Sequence, residues 1–498
     1  MDTSTPPPEP ASSKRPVVAV VGGGISGLAA AWYLLEEARL RGDDAPAVVV
    51  LESSTRLGGA LRAGTVGELT ADLGAESMLA RRPEALDLVS AAGLDDDVVH
   101  PRTSTATIWS RGHLHPLPAG TFMGVPGYPD TLPGVLTGPE VARVVHESVL
   151  APPEGDVAVG PFVADRVGRA VVDRLVEPLL GGVYAGHAGR LSFQATMPAL
   201  WQELTSGRAD APAHHADCRL VVAARRTVEA AAASANGGPV FAGLRGGVGR
   251  LPEALAAVLR RRGVRIRTGV TVRALAATAT GWRLECGPAP APEWLDAGAV
   301  ILAVPPTPAA RLLRPHAPLA AARLGAVETA SVALVAAVLP REVLRSAHGS
   351  GVLVPPVERL AVKAATFCSA KWDWVDTQDT DHVLVRLSLG RAREEAVLQR
   401  DDDDLADLAT ADLTAMIGRP VRPVATRVIR WGGALPQYAV GHVAAMASVR
   451  EDVDGVPGLA LCGAVLDGVG IPACAAAART AARRVTSGLG QGWGRMEQ

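Results

Sequence analysis

Five consecutive apolar residues, Val17–Val21, lead into a glycine-rich turn and then a long apolar stretch from about Ser26 to Arg39. The first run has the length of a buried strand and the second that of a helix. A further short apolar run, Val48–Leu51, completes a β-α-β unit, the crossover that a parallel sheet requires. Helical spacing dominates residues 83–235, broken by a Pro/Gly stretch at 116–139. Strand-like runs resume near Val264 and include Ala299–Val304, which Pro305 and Pro306 end. Ser331–Leu339, Val352–Val354, Leu360–Cys368 and His382–Leu389 predict the strands of a separate sheet. The acidic run Asp401–Asp404 reads as a solvated helix start. A last strand, Leu459–Cys462, precedes a helix from about Ala473 to Val485, and no internal repeat is visible.

Composition refines this picture in three places. At 498 residues and 48% hydrophobic content the chain can bury a large core, and two or three domains are expected. A formal net charge of −2 supplies no global field toward nucleic acid. The five cysteines, Cys218, Cys286, Cys368, Cys462 and Cys474, are odd in number and scattered, which predicts neither a disulfide framework nor a metal site. A reducing cytoplasm is the simplest expectation. Val17 to Leu35, after Lys14-Arg15, and Leu459 to Ala478 imitate membrane segments, but glycines interrupt both, and no span is expected. The Pro/Ser-rich residues 1–13 read as a disordered tail within a leading segment, 1–15, outside the domains.

The glycine turn carries the first chemistry. Gly22-Gly23-Gly24-Ile25-Ser26-Gly27 matches G-x-G-x-x-G directly after a strand and before a helix. Gly22 permits the tight turn, Gly24 the approach of a diphosphate to the backbone, and Gly27 close helix–strand packing. Free amides and the positive dipole end of the helix favour phosphate. Glu52 closes the second strand, where an acid accepts from a ribose diol. Ser53, Arg56 and the pair Gly58-Gly59 follow. The glycines would let a loop lie against the diphosphate, and Arg56 could add positive charge.

Together these residues resemble the extended FAD fingerprint of the flavin amine oxidase superfamily. Gly74, Ala75, Glu76 and Ser77, after Asp72-Leu73, look like the superfamily loop beside the isoalloxazine. Val272 resembles the position whose backbone meets the adenine, and Leu244–Gly249 the segment before it. Gly463 and Gly470-Ile471-Pro472 lie between a strand and a helix whose amides could face the flavin. Val176–Gly186, Leu191-Ser192, Arg430-Trp431, Leu435–Tyr438 and Gly441-His442 are similar to signatures of the FAD-dependent protoporphyrinogen/coproporphyrinogen oxidase family. The resemblance spans about residues 16 to 485. It is strongest for the soluble coproporphyrinogen III oxidases of Gram-positive bacteria.

That resemblance implies an α/β fold with a Rossmann-type FAD-binding domain assembled from 16–88, 240–300 and 443–490. It further implies a mainly helical subdomain over 89–239 that covers the pocket, and a mixed-sheet substrate domain at 301–442. It implies FAD as cofactor, O2 as acceptor and a porphyrinogen as substrate, oxidised by six electrons with release of H2O2. Transient contact with the next haem-pathway enzyme or a membrane surface is compatible with it. No acid–base or nucleophilic constellation is identifiable, and a hydride acceptor needs none. Arg82 is the first candidate for a propionate partner, with Arg81, Arg62 and Lys371 behind it. A carbonyl near Gly181-Gly182 could orient a pyrrole N–H, His442 could stand near the flavin, and Trp431 could border it. The alternatives are a protoporphyrinogen IX oxidase, an amine oxidase or carotenoid desaturase, a flavin-free GDP-dissociation inhibitor, and an NAD-dependent dehydrogenase.

Overall fold

The structure is a computed structural model that describes residues 15–103, 105–206, 219–234, 238–345 and 349–490. The expected tail at 1–13 and Cys218 lie outside the described residues. A parallel sheet of five strands forms the first layer, in the order Arg265–Arg267, Ala47–Leu51, Val17–Val21, Ala299–Leu302, Leu459–Leu461. Alternation along each strand divides two cores, because successive side chains point to opposite faces. Val18, Val20, Val48, Val50 and Ile301 pack under the helices Ile25–Arg41 and Ile471–Gly490. Ala19, Val21, Val49, Leu51, Val300 and Leu302 face the meander Val272–Thr278, Gly281–Cys286, Glu293–Ala297 and the helices Pro306–Leu313, Pro318–Gly325 and His442–Asp454. Both faces are covered, so the strands read as unbroken apolar runs.

A second, mixed sheet runs Ala425–Pro436, Thr329–Pro340, His382–Leu389, Val362–Phe367, Gly351–Leu353, Thr107–Ser110, His113–Pro116. Its pairs are antiparallel except Gly351–Leu353 against Thr107–Ser110. Ala333, Val335, Ala337, Val385 and Leu387 on one face bury Leu405, Ala409 and Leu413 of the helix Asp402–Ile417, which Asp401 caps by accepting the Asp404 amide. Ala336, Val338 and Leu384 on the other face pack on Leu69, Ala71 and Leu73 of the hairpin Ala63–Val66, Leu69–Asp72. A third core gathers helices between Gly138 and Ser234, including Val159–Val167 and Glu177–Tyr184.

Four local expectations need correction. Residues 83–235 are not uniformly helical: Thr107–Ser110 and His113–Pro116 form a hairpin on the edge of the mixed sheet. The expected strand Leu360–Cys368 stops at Phe367, where Cys368–Lys371 turns into a helical segment. The last helix begins at Ile471 rather than Ala473, because proline is tolerated in a first helical turn, where its missing N–H would have no partner. The long strand Ala425–Pro436 was not anticipated, since its arginines and paired glycines hide the alternation.

Candidate functional site

The opening turn and the closing strand–helix junction meet. Ile471 packs with Ile25, Leu61 and Met78 in one apolar cluster, and the Cys462 thiol lies 3.9 Å from the Ser26 carbonyl oxygen. Between them the glycines make a shallow cradle. Gly22 adopts φ +112, and a Cβ there would stand 2.4 Å from the Ala303 carbonyl oxygen. A Cβ on Gly27 would come within 1.9 Å of Gly22 O, so strand and helix touch backbone to backbone. At Gly24, by contrast, a Cβ would meet only Gly59 at 3.8 Å. The helix after Gly24 has no side-chain cap and no acid in its first turn, which leaves its positive end to an anion.

Glu52 ends its strand with Oε2 accepting the Gly23 amide at 2.7 Å and Oε1 accepting the Ser54 amide at 2.7 Å; Ser53 is exposed beside it. The segment before Val272 runs alongside: Gly269 N donates to Ser54 O and Val270 N to Glu52 O, each at 2.8 Å. Val272 itself is buried at the start of the meander. Gly58 N donates to Gly23 O at 2.9 Å, which places the second glycine pair against the first turn. Arg56 does not stand free. Its guanidinium donates to the carbonyls of Leu57, Gly59 and Leu61 and lies 5.4 Å from the Trp431 ring centroid, so it staples this loop.

The Gly74–Ser77 loop lies on that loop. Ala75 N donates to Ala60 O at 3.1 Å, and a Cβ on Gly74 would reach the same carbonyl at 2.0 Å. Trp431 Nε1 donates to Leu73 O at 3.0 Å. The Glu76 carboxylate is held by Lys371, by Arg386 at 2.5 Å and by Trp372 Nε1 at 3.5 Å. Burial opposes its charge, but the two cations prevail and bring its pKa to about 2. Asp72 accepts the amides of Val248 and Gly249 at 2.9 and 2.8 Å, yet burial lifts its pKa to about 6. Ser77 is half-buried. Gly463 adopts φ +139 and is buried, and Gly470 is exposed before the buried pair Ile471-Pro472. The cradle, the uncapped helix end and the acid on the second strand fit FAD; the isoalloxazine would fall between the 74–77 loop and the 463–472 junction.

The substrate candidates separate. Lys371 is paired with Glu76 and so braces the 74–77 loop. Arg82 is exposed and paired with Glu84 at 2.8 Å. Arg81 is exposed and reaches the Ala231 carbonyl, and Arg62 is half-buried. His442 is buried, donates from Nε2 to Val465 O at 2.8 Å, and stacks on Tyr438 at 4.2 Å; burial lowers its pKa. It therefore supports the junction from behind. Gly181 O accepts Ala185 N at 3.0 Å at the end of the helix Glu177–Tyr184. Gly182 is exposed, with room for a Cβ 3.7 Å from Leu353. A π-helical turn, Val172–Val176, precedes that helix.

Two residues that bind these parts together escaped the sequence reading. Asp156 accepts Ser192 Oγ at 2.6 Å, Gln194 N at 3.1 Å and Gly441 N at 2.7 Å, so it joins two of the signatures. Arg386 joins Glu76 and Gly74 O to the mixed sheet. Its one sequence signal is an arginine in the middle of the apolar strand His382–Leu389.

Residues 25–486 match the family model of flavin containing amine oxidoreductases. The coproporphyrinogen III oxidase of Mycobacterium tuberculosis is 38% identical over 472 residues, 93% of this chain and 96% of that one. The coproporphyrinogen III oxidase of Bacillus subtilis is 30% identical over 460 residues, 90% of this chain and 93% of that one. A crystal structure from Exiguobacterium sp. 255-15, provisionally named a protoporphyrinogen oxidase, superposes with a TM-score of 0.80 at 31% identity, covering 96% of this chain and 100% of that chain.

Proposed function

Since this chain belongs to the flavin-containing amine oxidoreductase family and is an FAD-dependent oxidoreductase, we propose that it oxidises coproporphyrinogen III to coproporphyrin III. Similarity to coproporphyrinogen III oxidases along nearly the whole chain carries the reading. The reaction removes six hydrogens from the macrocycle and passes them to three O2, giving three H2O2. Bound FAD supplies a two-electron acceptor beside the substrate. The residues of this chain supply position and dryness. Gly22, Gly24, Glu52 and Gly58 hold the dinucleotide, and Glu76, through Lys371 and Arg386, fixes the loop along the ring. Gly182 leaves a flat approach over Leu353 for the macrocycle, and the helices around 138–234 exclude bulk water.

Protein reconstituted with FAD, assayed side by side on copro- and protoporphyrinogen, should form coproporphyrin with peroxide in a ratio of one to three. Its kcat/KM should be at least about tenfold higher for the four-propionate substrate, the factor that 1.4 kcal/mol of extra recognition gives. Faster turnover of protoporphyrinogen would overturn the preference, and no porphyrin from either would overturn the reading. The domain limits at 16–88, 240–300 and 443–490, at 89–239 and at 301–442 remain our division of the chain. Contact with another enzyme of the route is likewise part of the proposal.

A further inference from the structure

A cavity of about 300 Å³ lies apart from the glycine cradle, and no residue proposed to hold FAD borders it. Three arginines line it from three segments: Arg190 after the helix Glu177–Tyr184, Arg323 on the helix Pro318–Gly325, and Arg393 after the strand His382–Leu389. One acid, Glu328, lines it with them. Its carboxylate accepts from Arg393 at 2.5 and 3.3 Å and from Arg190 at 3.4 Å. Arg323 is exposed and, among the described residues, has no acid within ion-pair distance. His187 also borders the cavity. Glu394 lies 3.2 Å from its Nε2 and Glu177 3.9 Å from its Nδ1, and Arg391 stands 3.7 Å from Glu394; neither acid borders the cavity.

The lining thus sets three guanidiniums against one carboxylate, which two of them already share. Concave walls of low dielectric concentrate such a field on an anion. The planar fork of arginine matches a carboxylate in particular. Another part of the wall is apolar, with Leu191, Val327 and Met446. A short hydrocarbon chain covers such a wall, and an inorganic anion does not. The wall also stands ready before any ligand arrives. Gln437 is buried and donates from Nε2 to Tyr184 O at 2.7 Å, and Ala392 N donates to Ala185 O at 2.7 Å. A preformed site loses little affinity to ordering. A volume of about 300 Å³ is the lower end for small-molecule sites, which favours an acid of a few carbons.

We propose that this cavity binds a small organic dicarboxylate. One carboxylate pairs with Arg323, the second with Arg190, whose contact with Glu328 is the longest of the three, and the alkyl chain lies on the apolar wall. The inference goes beyond the proposed reaction and depends on neither FAD nor the porphyrinogen.

The test is calorimetric titration of glutarate into the full chain saturated with FAD, at fixed ionic strength, so that the cradle is already filled. Wild type is compared with Arg323→Gln, with Ala326→Leu, which enlarges a wall residue without touching a charge, and with Arg311→Gln. The last removes the same charge from an exposed helix position that does not border the cavity. Wild type should show one site with Kd at or below about 1 mM. Arg323→Gln should weaken it about fivefold or more, the upper range for an exposed charge pair. Ala326→Leu should also weaken it, Arg311→Gln should match wild type, and the melting temperatures of all three should stay near wild type. Absence of binding at about 10 mM glutarate overturns the proposal. So does equal weakening by Arg311→Gln, which would mean diffuse surface charge, or an unchanged Kd in both Arg323→Gln and Ala326→Leu. Inorganic phosphate bound as tightly as glutarate overturns it too, since the apolar wall would then contribute nothing. Coproporphyrin III is titrated in the same series. An affinity that falls in Arg323→Gln and Ala326→Leu would assign the cavity to porphyrin propionates and overturn the small-acid reading.

Discussion

Asp72 and Glu76 are four residues apart, and their surroundings drive them in opposite directions. Burial dominates at Asp72, whose two amide partners offset it only in part, and the pKa rises from 3.8 to about 6. At Glu76, Lys371 and Arg386 overcome burial, and the pKa falls from 4.5 to about 2. The stability signs are therefore opposite. The folded state holds a proton on Asp72 that the unfolded chain has released, so the Asp72 contribution is complete below pH 3.8 and disappears as pH rises through about 6. Urea unfolding of Asp72→Asn should lose that decline across the window; for wild type its upper bound is about 3 kcal/mol. The Glu76 contribution is present above pH 4.5 and is lost only as pH falls toward 2. Removing one partner of this buried cluster leaves uncompensated charge, so Lys371→Met should cost about 3 kcal/mol in the same measurement. A cost under about 0.5 kcal/mol would mean that water reaches the carboxylate. The sequence displayed Asp72 and Glu76 within one recognisable loop. It could not display Arg386, which is one arginine among many until the strand register turns it toward Gly74.

Among the elements, the first turn was the most legible, because its glycines answer local needs that any chain of this shape shares. Gly22 has positive φ and a backbone oxygen where a Cβ would go. Gly22→Ala should lower FAD affinity at least about thirtyfold in fluorescence titration, as a lost diphosphate contact of about 2 kcal/mol would. Retained affinity would show that the turn can relax. The helix Glu177–Tyr184 ends the opposite way, on a residue that is not glycine: Ala185 takes φ +51 with its amide on Gly181 O and its carbonyl on Ala392 N. A left-handed residue with a Cβ costs about 1 kcal/mol, so Ala185→Gly should raise the melting temperature by a degree or more, with FAD binding unchanged. A fall would mean that the Ala185 methyl, packed near Ala330 and Ala392, contributes more than the backbone strain. The strand Ala425–Pro436 was illegible because an arginine interrupts the apolar positions on each of its faces. Arg427 reaches Thr65 O on the face that carries Ile429 and Trp431, and Arg430 reaches Leu398 O and Asp402 on the face that carries Val428, so neither face reads as an apolar series.

In the molecule as a whole, the cleft proposed for FAD is assembled from segments hundreds of residues apart: Gly22 and Glu52 near the start, Val270 in the middle, and Gly463 to Pro472 near the end. A ligand gripping all of them binds only the folded chain. FAD at about a hundred times its dissociation constant should therefore add about 2.7 kcal/mol to stability. Differential scanning of apo and reconstituted protein checks this, and coincident melting curves would contradict it. Among the described residues no helix is long and apolar enough to cross a membrane. The glycines that interrupt Val17–Leu35 and Leu459–Ala478 stand where a strand stops and a helix begins.

Sequence alone determined what depends on neighbours along the chain: the β-α-β opening, the glycine turn, the acid that closes the second strand and the strand–helix junction at the end. Steric needs and helix ends act within a few residues, so their signatures survive in one dimension. Tertiary structure alone decided which charges are free and which are committed. Lys371, a candidate for substrate by position, is buried against Glu76, and Arg82, another, is exposed in a surface pair with Glu84, while Arg386 and Asp156 join segments that the sequence keeps far apart. The physical reason is that the state of an ion pair depends on distance through space and on exclusion of water, and neither is encoded by spacing along the chain.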